Sequence, residues 1–400
     1  MADNGLAIVG GGASAVLLLA ALAREPAAQG MRVDIYERSM GRLGRGIAYS
    51  TQQNVHLLNV RAANMSAYEA DKEHFAHWAA EKGFKPEDFV PRKKYGDYLA
   101  GLLEEAKSRL TLNFIEADVT GIKKITKEEY EISYGNKKRS YRDVVQATGN
   151  VRPQRPKVDD GTAWYFDDPW SADFAALGNL THIALIGSGL TAIDTVLALY
   201  AKNFNGKISI YSRHALMPAS HAAPAVWPSF LTEEDCKKSP RQLFLMIRGE
   251  VRKARAQGLP WQAVIDSLRS HTNAIWDSMP RGMREKFMKK FFTLWNVHRH
   301  RCAPQIAKAV KTLEQAGRVE FIKASVERIG PGPTVYTSAG EQKVEAVINC
   351  LGYRYQEEGR KFEPTEKIGP ARFGDLFETT AIPEVRAQAA EIAARILKHY

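Results

Sequence analysis

One pattern occurs twice in this 400-residue sequence: a short apolar segment, a glycine-rich turn, a helix-like segment and a second apolar segment. The first copy covers residues 6–37 and the second covers residues 181–213. Short apolar runs that are broken by glycine and followed by helical composition indicate a β-turn-α-β unit. The repetition predicts an α/β protein with two dinucleotide-binding domains.

The first turn reads Gly10-Gly11-Gly12-Ala13-Ser14-Ala15 and fits the G-x-G-x-x-G/A spacing. In this spacing Gly10 permits the tight turn, Gly12 lets a pyrophosphate approach the backbone, and Ala15 lets the helix pack close to the strand. The helix N-terminus then presents free amides to the phosphates. Glu37 ends the next strand and is placed to accept hydrogen bonds from a ribose diol. A plain glycine-rich turn is the alternative.

The second turn reads Gly187-Ser188-Gly189-Leu190-Thr191-Ala192. The strand after it ends in Ser212-Arg213, at the position where the first copy carries Glu37. An acid would repel a 2′-phosphate there, whereas an arginine and a hydroxyl can bind it. This favours NADPH over NADH, which stays the second choice. A surface arginine without a ligand is the alternative interpretation of Arg213.

Two dinucleotide folds in one chain imply two dinucleotides. FAD with a nicotinamide cofactor is the common chemical pairing, in which a hydride passes from the nicotinamide to the flavin. We therefore expect FAD and NADPH as cofactors.

Lys and Arg outnumber Asp and Glu by 56 to 45, which gives a net charge of +11. Basic proteins bind nucleic acid, anionic membranes or anionic small molecules. The cations are spread along the chain, apart from a local excess after Arg281. We expect a small-molecule substrate, with its anionic character open, and no nucleic-acid or membrane partner. The oligomeric state is also open.

Cys236, Cys302 and Cys350 are far apart and form no C-x-x-C pair. This pattern argues against a disulfide scaffold and a dithiol redox motif, and it indicates a reducing compartment. The N-terminus lacks the basic segment of a secretory signal. The longest apolar run, residues 15–23, is shorter than the ~20 residues of a membrane span. We therefore expect a cytoplasmic protein.

His298 and His300 are two residues apart, so a helix would point them to nearly opposite sides. No cluster of acids or cysteines accompanies them, and we expect no metal site. Arg299 and Arg301 suit a cationic wall for an anionic substrate or contacts to the nicotinamide phosphates. Simple surface charge is the interpretation that we favour for any one of these residues.

Residues 143–149, Asp-Val-Val-Gln-Ala-Thr-Gly, and residues 347–353, Val-Ile-Asn-Cys-Leu-Gly-Tyr, resemble the paired strand motifs at which two-dinucleotide-binding flavoproteins pass between their domains. Further matching segments are residues 44–49, 57–60, 91–92, 95–96, 297–301 and 380–386. Together they resemble the bacterial FAD/NAD(P)-binding protein family of that superfamily. The resemblance implies FAD binding and a nicotinamide domain inserted in the FAD domain.

A more distant likeness is to NADPH-dependent flavin monooxygenases. Asn59, followed by Met65, resembles the stretch where those enzymes place an asparagine beside the flavin carbon that reacts with oxygen. This likeness implies a catalytic Asn59, and a turn or capping asparagine is the alternative. Residues 164–170, Trp-Tyr-Phe-Asp-Asp-Pro-Trp, depart from the monooxygenase fingerprint because they lack its glycine and histidine.

The superfamily likeness also implies that the last helix, which begins near Ala381 and Ile382, aims its N-terminus at the flavin. Its dipole would stabilise the negative charge of a reduced flavin. Asp375 could bind the ribityl chain, or it could be solvated.

The expected fold class is α/β, with two Rossmann-like dinucleotide-binding domains. We predict a FAD domain at residues 1–165 and 318–400, and a nicotinamide domain at residues 166–317 with a helical insertion at about 228–317. The cofactor-binding assignments around the first motif are Gly10, Gly12, Ala13, Ser14, Ala15, Glu37, Arg38, Ala48, Tyr49, Arg92, Val119, Thr148, Gly149, Asp375, Ala381 and Ile382. Those around the second motif are Gly187, Gly189, Leu190, Thr191, Ser212, Arg213 and Gly352.

Three functions are compatible with these motifs. The first is an NADPH-dependent flavin monooxygenase that acts on a small polar substrate, which we favour. The second is a flavin reductase or dehydrogenase that passes electrons to an acceptor other than oxygen. The third is a non-enzymatic module whose FAD or NADPH state signals to a partner.

Overall fold

The computed structural model of the protein describes residues 3–150, 154–352 and 361–400. The chain divides into two compact units. The first unit holds Met1–Arg152 and Tyr353–Tyr400, and the second unit holds Pro153–Gly352.

The first segment of the first unit begins with the predicted β-turn-α-β motif. Its elements are β1 (Asp3–Val9), α1 (Ala13–Ala23), β2 (Arg32–Glu37), α2 (Gly46–Tyr49), α3 (His74–Ala80), α4 (Arg92–Arg109), β3 (Thr111–Glu116), β4 (Val119–Thr126), β5 (Glu129–Tyr134) and β6 (Lys137–Gln146).

The second unit repeats the motif and adds a series of helices. Its elements are β7 (Lys157–Val158), β8 (Tyr165–Phe166), β9 (His182–Ile186), α5 (Leu190–Ala201), β10 (Lys207–Ser212), α6 (Pro240–Ala256), α7 (Trp261–Ser267), α8 (Thr272–Ser278), α9 (Arg281–Lys290), α10 (Phe292–Arg299), α11 (Pro304–Gln315), β11 (Val319–Lys323), β12 (Val326–Gly330), β13 (Thr334–Thr337), β14 (Gly340–Lys343) and β15 (Ala346–Asn349). The chain then returns to the first unit with β16 (Lys361–Phe362), β17 (Glu366–Lys367) and α12 (Ile382–Ile396).

The sheet of the first unit has the order β16-β4-β5-β6-β1-β2-β3, with β17 beside β6. Strands β3, β2, β1 and β6 are parallel, and β4 and β5 complete an antiparallel meander with β6. Val9 at the end of β1 pairs with Tyr36 on β2 and with Gln146 on β6. The carboxyl ends of these three strands therefore meet at one edge of the sheet, where α/β folds bind their ligands.

Helix α1 is apolar on almost every side because it is buried between the sheet and the helices α4 and α12. Leu17, Leu18 and Leu22 on this helix have no exposed surface. Burial of each such leucine stabilises the fold by about 1.5–3 kcal/mol. The first unit is thus held together around the helix whose N-terminus carries the glycine-rich motif.

The second unit has a parallel five-stranded sheet in the order β11-β10-β9-β15-β8. Ile186 at the end of β9 pairs with Tyr211 on β10 and with Asn349 on β15. This register repeats that of the first unit, so the carboxyl ends of β9, β10 and β15 also share an edge. A separate four-stranded sheet has the order β14-β13-β12-β7.

The division of the chain differs from the predicted boundaries. We expected the second part of the FAD domain to begin at residue 318, but β11 extends the second unit's sheet beside β10, and β15 lies beside β9. The return to the first unit comes only at Tyr353. Composition along the chain did not reveal this, because pairing between strands distant in sequence decides to which sheet a strand belongs.

The predicted helical segment is also shorter than expected. Residues 229–238 contain only a 3₁₀ turn at Asp235–Lys237, and the α-helices begin at Pro240. Ser239 caps that first helix through a reciprocal capping box with Gln242. Within the described ranges, no helix combines the length and the apolar character needed to cross a membrane.

Candidate dinucleotide-binding sites

The first unit contains a cleft at the carboxyl edge of its parallel strands. Its walls come from the glycine turn, the end of β2, the segments before α2 and after β6, and the first turns of α12. Most residues assigned to FAD line it: Gly10, Gly12, Ala13, Ser14, Glu37, Arg38, Ala48, Tyr49, Val119, Thr148, Gly149 and Ile382. The structure therefore brings the separate motifs of the first unit together.

Gly10 makes the turn from β1 into α1. Its φ of +102° lies in a region that side chains rarely adopt. A Cβ at this position would lie 2.4 Å from the carbonyl oxygen of Ala147, which follows β6. The Gly10 amide donates to the carbonyl of Tyr36 at 2.8 Å. The turn is therefore fixed between the ends of β2 and β6.

Helix α1 directs its N-terminus into this cleft. Gly12 is the N-cap residue, and no side chain caps the first turn. The amides of an uncapped first turn lack helical partners and carry the positive end of the helix dipole. Because Gly12, Ala13 and Ser14 line the cleft, these amides suit the pyrophosphate of a dinucleotide.

Glu37 is held by backbone amides at both of its carboxylate oxygens. Oε2 accepts from the amide of Gly11 at 2.8 Å, and Oε1 accepts from the amide of Ser39 at 2.9 Å. An ionised carboxylate has about four lone-pair positions, so each oxygen keeps capacity for another donor. This geometry suits a ribose diol in the cleft.

Tyr49 contributes a half-buried phenol to the cleft wall. Burial raises the pKa of Tyr49 to about 12, and the charge of Arg92 opposes this shift. The hydroxyl is therefore protonated at neutral pH and can donate a hydrogen bond. The ring centre lies 4.7 Å from that of Tyr95 on α4, which fixes its orientation.

Three assigned residues lie beside or behind the cleft lining. Ala15 is buried within α1, as its packing role requires. Ala381 is the N-cap residue of α12, between the lining residues Thr380 and Ile382. Asp375 is exposed and pairs with Lys367 at 3.0 Å, and it does not line the cleft.

Asn59 and Arg92 also lie outside the cleft lining. Arg92 is the first residue of α4, and Asn59 lies in a segment that is tied to this start of α4. Arg92 Nε donates to the carbonyl of Leu57 at 3.0 Å, and the amide of Leu58 donates to the carbonyl of Val90 at 2.9 Å. These bonds give Arg92 a structural role and hold the backbone next to Asn59.

Sequence reasoning did not assign several residues that line the cleft, among them Arg42, Arg45, Gly46, Asp118 and Thr380. Arg45 and Gly46 lie in the segment of residues 44–49, which the family resemblance had already singled out. A glycine on each side of an arginine was the available signal, since it indicates a close backbone approach.

The second unit reproduces the glycine turn of the first. Gly187 has a φ of +101°, and its amide donates to the carbonyl of Tyr211 at 2.8 Å. A Cβ at Gly187 would lie 2.6 Å from the carbonyl oxygen of Cys350. Gly189 is the N-cap residue of α5, again without a side-chain cap. The first amides of α5, at Leu190 and Thr191, are thus available to an anion as those of α1 are.

Ser212 occupies the position that corresponds to Glu37. In each unit the first glycine of the turn donates to the tyrosine before this position, Tyr36 or Tyr211. Ser212 Oγ accepts from Ser188 Oγ at 3.0 Å and from the amide of Ala215 at 3.0 Å. Arg213 follows as an exposed side chain that has no hydrogen-bond or ion-pair partner among the described residues.

Gly352 is the last described residue before the return to the first unit. Its carbonyl accepts from the amide of Gln154 at 3.1 Å.

The segment of residues 164–170 contains β8, which pairs with β15, and Asp168 caps the 3₁₀ turn that follows. The residues that depart from the monooxygenase fingerprint thus form the edge of the second unit's sheet.

The three cysteines are buried and free. Burial raises the pKa of the Cys302 thiol to about 11 and that of Cys350 to about 12, and it also raises the pKa of Cys236. Thiols of this kind react slowly because the thiolate is the nucleophile.

Arg301 is not part of a cationic wall, as one interpretation of its motif had it. Its side chain is 2% exposed and forms two hydrogen bonds with the Asp266 carboxylate, at 2.5 and 2.7 Å. It therefore joins the end of the helical segment to α7. In the described ranges no three His, Cys, Asp or Glu side chains are grouped as metal ligands.

Part of the first unit matches a known protein family. Residues 7–151 match the family described as FAD-NAD(P)-binding. No functionally curated protein matches the sequence. Solved structures that share the fold include an ornithine N-hydroxylase from Kutzneria sp. 744, in complex with reduced FAD, NADP⁺ and L-ornithine, at 15% identity and a TM-score of 0.64 over 99% of both chains.

Two further structures share this fold. An L-lysine 6-monooxygenase from Pseudomonas syringae is 12% identical with a TM-score of 0.63, over 99% of this chain and 100% of that chain. A bacillithiol disulfide reductase from Staphylococcus aureus is 14% identical with a TM-score of 0.58, over 100% of this chain and 99% of that chain. The family match and the shared fold confirm the predicted α/β class and cofactor class. The chain therefore contains a region, residues 7–151, that matches the FAD-NAD(P)-binding family, and it shares the fold of these FAD- and NADP-dependent enzymes.

Proposed function

We propose that the protein is an FAD-dependent oxidoreductase that is reduced by NADPH and hydroxylates a small polar substrate with oxygen. The observation that carries this proposal is the pair of equivalent glycine turns, of which only the first is followed by an acid. Glu37 suits a ribose diol, whereas Ser212 and the exposed Arg213 suit a 2′-phosphate. These features support separate places for FAD and for NADPH in one chain.

FAD would supply the redox chemistry when it is bound, and the chain would bind and orient it. The amides of α1 would hold the pyrophosphate, and the dipole of α12, whose first turns also line the cleft, would favour negative charge there. Tyr49, kept protonated by burial, would offer a hydrogen bond along the cleft wall.

Two observations favour hydroxylation over electron transfer to a disulfide. The buried thiols have raised pKa values, so they are poorly suited to relay electrons by thiol–disulfide exchange. Structures with this fold at TM-scores of 0.64 and 0.63 are hydroxylating enzymes, which act on ornithine and on lysine. These likenesses make small amines and amino acids the first substrates to test.

The second candidate is a flavin reductase or dehydrogenase that uses an acceptor other than oxygen. It is favoured by the edge strand at residues 164–170, which lacks the glycine and histidine of the monooxygenase fingerprint. It is also favoured by Asn59, which does not line the cleft. A non-enzymatic FAD- or NADPH-sensing module is the third candidate.

The test is to load the purified protein with FAD and to follow the flavin absorbance, NADPH and oxygen together. Hydroxylation predicts that a small amine or amino acid accelerates NADPH and oxygen consumption in equal amounts, with a hydroxylated product and little hydrogen peroxide. A reductase predicts turnover without oxygen when a quinone or a disulfide is supplied. Tight cofactor binding with negligible turnover under both conditions favours the sensing module, and failure to bind FAD contradicts both enzymatic functions.

A further inference from the structure

We propose that Arg45 binds the pyrophosphate of FAD, and that Asp97 on α4 is the positioning residue that holds its guanidinium in place. This inference rests on the proposed FAD binding in the cleft of the first unit. It assigns functions to two residues that the sequence motifs left without one.

Arg45 combines access to the cleft with a fixed orientation. Its side chain lines the cleft and is 26% exposed, and its Nη2 donates to Oδ1 of Asp97 at 3.0 Å. A guanidinium has five N–H donors. In the described part of the chain the Arg45 guanidinium makes this one hydrogen bond, to Asp97, so donors remain for a phosphate.

The backbone beside Arg45 lies against the N-terminus of α1. A Cβ on Gly12 would lie 3.3 Å from Cα of Gly46, and a Cβ on Gly46 would lie 3.4 Å from Cα of Gly12. The amide of Gly44 also donates to the carbonyl of Gly11 at 2.7 Å. The 44–46 segment therefore crosses the glycine turn at the place where the pyrophosphate is expected.

The first turns of α4 are shaped to hold this arrangement. A Cβ on Gly96 would lie 2.5 Å from the carbonyl oxygen of Tyr49 and 2.9 Å from Nη1 of Arg45. The glycine thus lets α4 approach both the end of α2 and the guanidinium, and the next residue, Asp97, binds that guanidinium. This explains why a glycine follows Tyr95 inside a helix, where glycine is normally unfavourable.

Arg45 is better placed for the pyrophosphate than Arg38, another cation of the cleft. Arg38 directly follows Glu37 and lies on the side that suits the ribose. Arg45 instead adjoins Gly46 and the uncapped start of α1. A helix N-terminus and an arginine on one anion reinforce each other, and the ion pair with Asp97 reduces the entropy lost on binding.

The test is a titration of the FAD-free protein with FAD, followed by flavin fluorescence, for the wild type and for Arg45→Ala, Arg45→Lys and Asp97→Asn. We expect Arg45→Ala to weaken FAD binding about 10- to 100-fold, the usual loss for a charge-assisted hydrogen bond. Arg45→Lys keeps the charge but loses the fork of donors, so its affinity should be intermediate. Lys94→Ala, which removes a cation from the same turn of α4 without touching the cleft, is the matched control and should bind FAD normally.

Two further measurements separate a direct role from a structural one. ADP keeps the pyrophosphate and lacks the flavin. In a competition experiment, Arg45→Ala should weaken ADP binding by the same factor as FAD binding, relative to the wild type. Asp97→Asn should weaken FAD binding less than Arg45→Ala does. When it is combined with Arg45→Ala, it should cause no further loss of FAD affinity. Circular dichroism of each FAD-free variant checks that it is folded.

These experiments distinguish a failure of the role of Arg45 from a failure of the proposed function. If the wild type binds FAD and folded Arg45→Ala binds it equally well, the role of Arg45 is wrong while FAD binding stands. If Asp97→Asn weakens binding by the same factor with and without Arg45, Asp97 does not act through Arg45. If the wild type itself does not bind FAD, the proposed function fails as well.

Discussion

The amide of Gly11 donates a 2.8 Å hydrogen bond to Oε2 of Glu37, which ties the glycine turn to the end of β2. In the second unit the corresponding link joins the hydroxyls of Ser188 and Ser212, which are 3.0 Å apart. The same backbone frame thus places a carboxylate in one unit and a hydroxyl in the other. We expect this difference in charge to let the first unit prefer a nucleotide with a free ribose diol and the second unit one with a 2′-phosphate.

Glu37→Gln should weaken FAD binding at least about tenfold. The amide side chain carries no charge and offers one acceptor, whereas both oxygens of Glu37 accept backbone amides, and lost hydrogen bonds to a charged group cost about 1.5–3 kcal/mol. Fluorescence titration of the FAD-free protein measures the loss. Glu116→Gln, at the exposed end of the neighbouring strand β3, is the control. Equal FAD affinity in both variants would exclude a ribose contact by Glu37.

Arg213→Ala should weaken the binding of NADPH about tenfold or more and leave NADH binding nearly unchanged, because only NADPH carries the 2′-phosphate. Ser212→Glu should go further and favour NADH, since it restores the acid of the first unit. The rate of flavin reduction at varied NADPH and NADH concentrations gives both constants. Lys202→Ala, an exposed cation just after α5, is the control. An unchanged preference in Arg213→Ala would remove Arg213 from the phosphate site.

Two glycines of α4 should respond oppositely to alanine. A Cβ on Gly101 meets no atom within 4 Å, so Gly101→Ala should raise the free energy of unfolding by about 0.5–1 kcal/mol. A Cβ on Gly96 meets the backbone of Tyr49 at 2.5 Å, so Gly96→Ala should lower it by about 1–3 kcal/mol. Urea unfolding of the FAD-free proteins compares them. Similar effects from both substitutions would mean that α4 does not pack against α2 in this way.

Stability should fall as the pH rises above 9. The thiols of Cys302 and Cys350 have ordinary pKa values of 9.0, which burial raises to about 11 and about 12 in the folded protein. Below pH 9 both states are protonated and the stabilisation is complete. Above it the unfolded chain loses protons first, so each thiol lowers the free energy of unfolding by about 1.4 kcal/mol per pH unit.

Urea unfolding between about pH 8 and pH 10 measures this slope, to which tyrosines such as Tyr49 add as the pH approaches their ordinary pKa of 10.0. Cys350→Ala should remove the contribution of one thiol from the dependence of the free energy of unfolding on pH, whatever its effect on the stability itself. A slope identical to that of the wild type would show that Cys350 ionises normally in the folded protein.

The sequence by itself determined the parts of each site that are contiguous in the chain. The strand, the glycine turn, the helix and the residue at the end of the next strand lie within about one βαβ unit, so spacing alone predicts their roles. Gly10 and Glu37 could therefore be assigned to one cleft, the family resemblance added Thr148, and the structure brings all three there. The start of α12 near Ala381 and Ile382 also agrees with the sequence-based expectation.

Only the tertiary structure decided what depends on contacts between distant segments. It assigned β11 to β15 to the second unit, because strand pairing is settled by partners elsewhere in the chain. It also set Gly46 against Gly12 and joined Arg45 to Asp97, which lie on separate elements that pack together only after the sheet and α4 have formed. Local propensity carries no information about such approaches, since their geometry follows from register and helix packing.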